Sequence, residues 1–177
     1  MRRRLFALLV VASVAGTVAG TVANAKGRPA AAPRIPALPR LQEVSNVCPL
    51  PAIYRRAFVA AGQKTDLPLA MLVAVGQVES NLTADARSSA DARGLLQVLP
   101  TTGAALSLDV NRPDTNVLAG ARYLRLLLDR FQSPDLALAA YNAGPTAVAD
   151  SGGPPTLETA TYVANVDEIW RELRGCR

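Results

Sequence analysis

Residues 68–82 read PLAMLVAVGQVESNL, an apolar run that ends in a carboxylate. Pro68 suits the first turn of a helix, so the run predicts an α-helix of about three turns from Pro68 to Val78 or Glu79. The helix would therefore be apolar along its length and acidic at its C-terminal end.

The chain on both sides of this run also has mostly helical spacing of its apolar residues. Helical patterns cover residues 51–61, 101–106, 116–131, 134–143 and 156–173. Gly62 is a candidate C-cap for the first of these, and only residues 94–99 and the loop around 152–155 do not fit a helix. We therefore predict a compact all-α domain of six or seven helices over residues 41–177, with little or no β-structure.

The N-terminal 25 residues have the pattern of a secretory signal peptide. Three arginines precede 19 uncharged, mostly apolar residues, and Ala23-Asn24-Ala25 supplies a cleavage site. We expect cleavage after Ala25 and export to the periplasm, cell wall or extracellular space. The alternative is an uncleaved membrane anchor, because the uncharged run nearly reaches the roughly 20 residues that span a bilayer.

Residues 26–40 hold four positive charges, four prolines and no acid, which predicts an extended linker. The chain from Leu41 onward carries 12 basic and 14 acidic residues, so the excess of positive charge belongs to the leader and the linker. A nucleic-acid-binding domain would concentrate its basic charge on the folded surface. We therefore expect no nucleic-acid partner.

Two cysteines, Cys48 and Cys176, lie near the two ends of the predicted domain. In an exported chain a disulfide between them is the default expectation, with two free thiols or a link to a partner as alternatives. The bridge would close a loop of about 129 residues, which stabilises a fold by about 5 kcal/mol in the chain-entropy model. With no His and only these two Cys, the usual zinc ligands are missing, so neither a metal site nor a cofactor is predicted.

Glu79 stands at the end of an apolar helix, close to Val75 and Val78. A poorly solvated site and a helix C-terminus both raise the pKa of a carboxyl group. A raised pKa is the property that a general acid needs near neutral pH. The alternative is an exposed glutamate at a helix end with no chemical role.

Several polar side chains that could bind sugar hydroxyls stand in apolar surroundings, namely Gln97, Tyr141, Asn142 and Tyr162. Singly, each could be a structural group whose hydrogen bonds are satisfied within the fold. They belong to ordered segments: Glu79-Ser80, GLLQVLPTT (94–102), NVLAGARYL (116–124), AYNAGP (140–145) and ETATYV (158–163). In this order the segments resemble the sequence blocks of the soluble lytic transglycosylase family, lysozyme-like enzymes of the bacterial cell wall. The resemblance extends from about Ala52 to Trp170.

The resemblance implies a lysozyme-like helical domain with a substrate cleft. It also implies cleavage of the β-1,4 bond between N-acetylmuramic acid and N-acetylglucosamine, with formation of a 1,6-anhydro ring. Glu79 would be the single catalytic residue, first as acid and then as base, and Ser80 would orient Glu79 or the substrate. The remaining substrate-binding residues would line or support the cleft: Gln97, Tyr141, Asn142, Glu158 and Tyr162.

Peptidoglycan glycan strands are the implied partner of a monomeric enzyme, acting in general wall remodelling or beside an envelope-spanning secretion or conjugation machine. Two alternatives of function remain open. A hydrolytic muramidase would use a second carboxylate, for which Asp85 and Asp91 are the candidates. A non-catalytic peptidoglycan-binding protein would keep the cleft without the chemistry.

The sequence departs from the family pattern at three positions. Asp91 stands where the family usually has Gly; if this position needs a positive φ, Asp is one of the few residues that tolerate it. Leu96 replaces the usual Met, a swap of similar volume. Thr146 follows Gly144-Pro145 where a second Gly is common, so we expect a stiffer loop at that point.

Overall fold

The computed structural model describes residues 46–177, so the predictions for the signal peptide and the linker lie outside the described residues. Seven helices are present in this part of the chain: α1 (Ala52–Thr65), α2 (Leu69–Ser80), α3 (Pro100–Ala105), α4 (Pro113–Phe131), α5 (Pro134–Ala143), α6 (Pro145–Ser151) and α7 (Leu157–Glu172). Residues 46–177 form no β-strand, and two isolated bridges pair Arg93 with Arg87 and with Val98. The predicted all-α fold is confirmed.

Helix α2 is the central element of the core. Every residue from Ala70 to Gly76 is buried, as its uniformly apolar sequence predicts. It packs against α1 and α7, while α4 packs against α1 and α5, and α5 contacts α6 and α7. The C-terminal end of α2, with Glu79, therefore emerges from the core between elements that come from distant parts of the chain.

The predicted end of α1 at Gly62 is wrong. The helix continues to Thr65, and Asp66 takes the left-handed C-cap conformation with φ 53°. Gly62 is instead buried in the last turns, where a Cβ atom would lie 2.9 Å from the carbonyl oxygen of Leu67. The glycine allows the chain to fold back closely onto the helix, and Leu67 N donates a hydrogen bond to Gly62 O at 3.1 Å.

Proline stands in the first turn of four helices, namely α3, α4, α5 and α6. Pro113 occupies the first turn of α4, which begins three residues before the predicted boundary at residue 116. Pro145 likewise begins α6, a short helix that the sequence did not resolve from its neighbours. Gly144, with φ 87°, forms the junction between α5 and α6. The loop expected at Thr146 is therefore wrong, because Thr146 lies in the first turn of α6.

The two ends of the domain are joined covalently. Cys48 and Cys176 form the predicted disulfide, with their Cα atoms 4.8 Å apart. The guanidinium of Arg55 donates to the carbonyl oxygens of Arg177 at 3.1 Å and Cys48 at 3.0 Å. Within residues 46–177, none of the helices has the combination of length and apolar sequence needed to cross a membrane.

Candidate active site

Glu79 lies in the last turn of α2, which continues to Ser80, just beyond the predicted end at Val78 or Glu79, with Asn81 as a left-handed C-cap. The side chain is half-buried, and Tyr162 Oη donates a hydrogen bond of 2.7 Å to its Oε1. Burial raises the pKa of Glu79 to about 7, against the smaller lowering effect of the Tyr162 hydrogen bond. The carboxyl group can therefore hold or release a proton near neutral pH.

Two recesses meet at Asn142, which lines both, and together we call them the cleft. The first, of about 240 Å³, is lined by Gln97, Val98, Leu99, Thr102, Tyr123, Tyr141, Asn142, Ala143 and Gly144. The second, of about 470 Å³, is lined by Val78, Asn142, Leu157, Glu158, Thr161, Tyr162 and Asn165. Glu79 itself lines neither recess, but its chain neighbour Val78 and its hydrogen-bond donor Tyr162 both line the second, so the carboxyl group lies beside that recess. A larger groove of about 710 Å³ between α1 and α4 contains none of the predicted site residues.

Ser80 is engaged with backbone groups. Its Oγ donates to Leu95 O at 2.9 Å and accepts from Thr83 N at 3.1 Å. These bonds fasten the end of α2 to the neighbouring segment around Leu95. The arrangement fits a role in orienting Glu79, which is one of the two roles expected from the sequence.

Gln97 and Tyr141 lie in the first recess and are also tied to backbone. Gln97 Nε2 donates to Ala86 O at 3.1 Å and to Gly94 O at 2.9 Å. Tyr141 Oη donates to Leu96 O at 2.8 Å, and its ring lies 5.4 Å from that of Tyr123. Both side chains therefore reach the cleft in fixed orientations.

The structure places Asn142, Glu158 and Tyr162 together at the second recess, where Glu158 and Asn142 are exposed. Sequence reasoning missed Thr161 and Asn165 in the same wall. Their spacing from Glu158 was a usable signal, because residues three, four and seven apart share one face of a helix. Sequence reasoning also gave no role to Asn116, whose side chain is fully buried.

The two candidates for a second carboxylate lie outside the cleft. Asp91 has φ 64°, which confirms that this position needs a positive φ. Its carboxylate pairs with Arg93 at 2.7 Å and Arg87 at 3.1 Å, and the Arg93 hydrogen bond lowers its pKa. Asp85 lines a separate recess of about 180 Å³ together with both arginines. Within residues 46–177, no group of three or more His, Cys, Asp or Glu side chains is placed to hold a metal ion.

A match to the family described as "Transglycosylase SLT domain" covers residues 56–155, more than half of the chain. The chain belongs to this family. The SLT match includes Glu79, Ser80, Gln97, Tyr141 and Asn142. Glu158 and Tyr162 follow it in α7, so the wall opposite Glu79 lies beyond the family match.

The SLT domain is similar to parts of larger proteins. It is 38% identical over 127 residues to the membrane-bound lytic murein transglycosylase F of Cellvibrio japonicus, covering 67% of this chain and 24% of that protein. Identity to a putative soluble lytic murein transglycosylase of Haemophilus influenzae is 32%, over 66% of this chain and 24% of the relative. The chain thus spans about a quarter of the length of these relatives.

Solved structures of lytic transglycosylases are also similar to this chain. The lytic transglycosylase Slt of Pseudomonas aeruginosa, solved as an inactive mutant, aligns with a TM-score of 0.61 at 27% identity, over 72% of this chain and 25% of that one. The 70 kDa soluble lytic transglycosylase of Escherichia coli aligns with a TM-score of 0.58 at 27% identity, over 71% and 25% of the two chains. The SLT domain therefore has the lysozyme-like helical fold that the sequence predicted.

Proposed function

We propose that this chain is a lytic transglycosylase that cleaves the N-acetylmuramic acid β-1,4-N-acetylglucosamine bond of peptidoglycan. The observation that carries the proposal is the carboxyl group of Glu79, half-buried beside the cleft with a pKa raised to about 7. A group with this pKa is divided between its acid and base forms at neutral pH, so one residue can serve in both roles.

In the first step, protonated Glu79 donates its proton to the glycosidic oxygen, and the bond between that oxygen and muramoyl C1 breaks. The N-acetylglucosamine portion leaves with a free 4-hydroxyl. In the second step, the Glu79 carboxylate accepts the proton of the muramoyl 6-hydroxyl as O6 bonds to C1. The product is a 1,6-anhydro ring, no water is consumed, and Glu79 regains its proton.

The placement of the other acids supports one carboxylate used twice. A hydrolase of the ordinary type needs a second carboxylate across the scissile bond from the acid. Asp91 is held by two arginines and Asp85 lies in a separate recess. Glu158 is the remaining acid in the cleft wall, exposed in the first turn of α7, and we assign it to substrate binding.

We assign the substrate contacts to side chains on both sides of Asn142. The exposed Asn142 is available to sugar hydroxyl or N-acetyl groups in both recesses. Gln97 has both N–H donors engaged by backbone, so its carbonyl oxygen would accept a hydrogen bond from substrate. Tyr141 supports the first recess, and Tyr162 supports Glu79 itself.

The test of the proposed function is release of soluble muropeptides from purified peptidoglycan, comparing the wild type with Glu79→Gln. We expect release by the wild type and a loss of at least about 10³-fold in the variant, because the only acid in the mechanism is removed. Glu168→Gln, an exposed glutamate of α7 outside the cleft, is the matched control and should keep full activity. Equal release by wild type and Glu79→Gln would refute the role of Glu79. Binding without release by any form would favour the non-catalytic alternative.

We also propose export, from the sequence of residues 1–25. N-terminal sequencing of the protein made in a bacterial host should find a mature chain that begins at Lys26. A chain that keeps residues 1–25 and sediments with membranes would support the anchored alternative instead.

A further inference from the structure

One short segment connects three of the predicted site residues. We call residues 94–97 the support turn, because three of its carbonyl oxygens accept hydrogen bonds from side chains of the site. Gly94 O accepts from Gln97 Nε2 at 2.9 Å, and Leu95 O accepts from Ser80 Oγ at 2.9 Å. Leu96 O accepts from Tyr141 Oη at 2.8 Å. The position of the support turn therefore fixes the end of α2, the end of α5 and Gln97 relative to one another.

The support turn has little regular structure of its own. Gly94 and Gln97 both have positive φ values, 72° and 43°, and no helix or strand includes them. Such backbone conformations are sparsely populated and persist only where surrounding contacts hold them. The turn therefore needs an external clamp.

Asn116, in the first turns of α4, supplies that clamp. Its Oδ1 accepts from Leu96 N at 2.9 Å, and its Nδ2 donates to Arg93 O at 2.7 Å and to Val110 O at 2.9 Å. The side chain is fully buried, and Gly94 lies so close that a Cβ atom there would be 2.6 Å from Nδ2. One amide group thus binds the turn and the residue before it by both its donor and its acceptor atoms.

We infer that Asn116 is a positioning residue for the reaction. It acts through the support turn, which holds Ser80 beside Glu79 and Tyr141 in the first recess. The inference rests on the proposed function, and it assigns to Asn116 an effect on catalysis rather than on substrate affinity alone. Small displacements of a catalytic group cost rate because the reacting atoms must be held in a near-attack geometry.

Two substitutions remove parts of the clamp. Asn116→Asp keeps an acceptor for Leu96 N but offers two backbone carbonyls no amide donor, and Asn116→Leu removes all three bonds at similar volume. The matched control is Thr65→Val, which deletes a buried hydroxyl on α1 that bonds only to Ala61 O. The Leu variant tests the loss of all three hydrogen bonds. If the Leu variant does not fold, the Asp variant still tests the loss of the two bonds that the amide nitrogen donates.

The measurement is kcat and KM for release of muropeptides, with amide hydrogen exchange at Leu96, in variants whose folding is checked by circular dichroism. We expect kcat to fall by about tenfold or more in Asn116→Asp, with KM changed by less than about threefold. In Asn116→Leu, which removes the acceptor of Leu96 N, the Leu96 amide should exchange faster. Thr65→Val should keep both constants within about twofold of the wild type.

A folded Asn116 variant with unchanged kcat would overturn the inference, and so would a kcat loss matched by Thr65→Val. The inference also fails if the Leu96 amide exchanges at the wild-type rate in a folded Asn116→Leu variant. If the wild type itself releases nothing, the proposed function fails and the inference of a catalytic effect fails with it. The exchange result at Leu96 then tells whether Asn116 still holds the turn, which separates the two failures.

Discussion

Glu79 is held in a site where its charged form is disfavoured, and this has a consequence for stability that does not depend on activity. Its folded pKa, about 7, lies above the ordinary 4.5, so between these pH values the folded protein keeps a proton that the unfolded chain has lost. Stability should therefore fall as the pH rises from about 4.5 to 7. Replacing the group with an uncharged amide should remove this dependence.

The first prediction concerns the free energy of unfolding of Glu79→Gln minus that of the wild type. This difference should favour the variant more at pH 8 than at pH 4, by up to roughly 3 kcal/mol. Urea denaturation of wild type and variant at both pH values measures the difference. Glu168→Gln serves as the control and should show no such gain. A free-energy difference between wild type and Glu79→Gln that is the same at both pH values would mean that the pKa of Glu79 is not raised.

The second prediction concerns Tyr162, whose hydrogen bond lowers the pKa of Glu79 by stabilising the carboxylate. Tyr162→Phe should raise that pKa, so the protonated form should persist to higher pH. The alkaline limb of the pH profile of kcat/KM should therefore move to higher pH. The control, Tyr54→Phe on α1, should leave the profile unchanged. A profile that is unchanged or moves to lower pH would contradict the assigned role of the phenol.

The sequence predicted the direction of the Glu79 pKa shift but only part of its cause. The helix end and the apolar neighbours of Glu79 are visible locally. Tyr162, which binds the carboxyl group, is 83 residues away along the chain, and burial depends on how α7 packs against α2. A contact of this kind follows from tertiary packing and has no local sequence signal.

At the scale of elements, α4 supports the cleft by one face. Asn116 and Gly120 are four residues apart on that face, toward the support turn. A Cβ atom at Gly120 would lie 2.6 Å from Leu96 Cδ1 and 2.7 Å from Tyr141 Oη. The absence of a side chain at this position therefore allows the turn and Tyr141 to pack against the helix.

The third prediction is that Gly120→Ala destabilises the protein by about 1–3 kcal/mol and lowers activity, because the added methyl group displaces Leu96 and Tyr141. Chemical denaturation and muropeptide release measure the two effects. Leu126→Ala, at an exposed position of the same helix, should change neither by much. If Gly120→Ala gained stability, as alanine does in an open helix, the close packing would be disproved.

Helix existence was predictable from apolar spacing, and helix ends were less so. Gly62 had the features of a C-cap, yet the helix continues because the glycine is needed for the close approach of Leu67. Helix α6 is too short for a periodic pattern, so only its proline and Gly152 mark its limits. At the end of α1 the glycine serves close packing, and at α6 the proline and glycine set the direction of the chain. In both places the residue type therefore does not mark the helix in the usual way.

At the scale of the whole molecule, the disulfide joins the start of the domain to the short segment that follows α7, since Cys176 lies beyond the end of that helix at Glu172. Tyr162 lies on α7 itself, in the half of the helix nearer its start, and contacts Glu79 at the end of α2. The bridge is placed to limit unfolding of both ends without touching the cleft.

The fourth prediction is that replacing both Cys48 and Cys176 with Ser costs about 2–5 kcal/mol of stability, because the unfolded chain regains the freedom of a long loop. The midpoint of urea denaturation should fall accordingly. Activity measured well below the new melting temperature should remain, since no atom of the cleft is removed. An unchanged midpoint would mean that the bridge contributes nothing to the stability of this fold.

The apolar spacing and the ordered motifs predicted the overall architecture and five of the residues that line the cleft: Gln97, Tyr141, Asn142, Glu158 and Tyr162. The sequence did not predict which of the site residues bind the backbone. In the structure, backbone carbonyl groups within residues 86–96 accept hydrogen bonds from Ser80, Gln97 and Tyr141. A motif names the residues that come together, and only the packed structure gives their hydrogen-bond partners.

The most direct test of the central claim, one carboxylate acting as acid and then as base, is the mass of the glycan ends released from intact peptidoglycan by the wild-type protein. The mechanism consumes no water, so the released ends should be 1,6-anhydro and about 18 Da lighter than hydrolytic reducing ends. Glu79→Gln should yield neither. Reducing ends from the wild type would contradict the account and require a second carboxylate, with Glu158, Asp85 and Asp91 as the residues to substitute next.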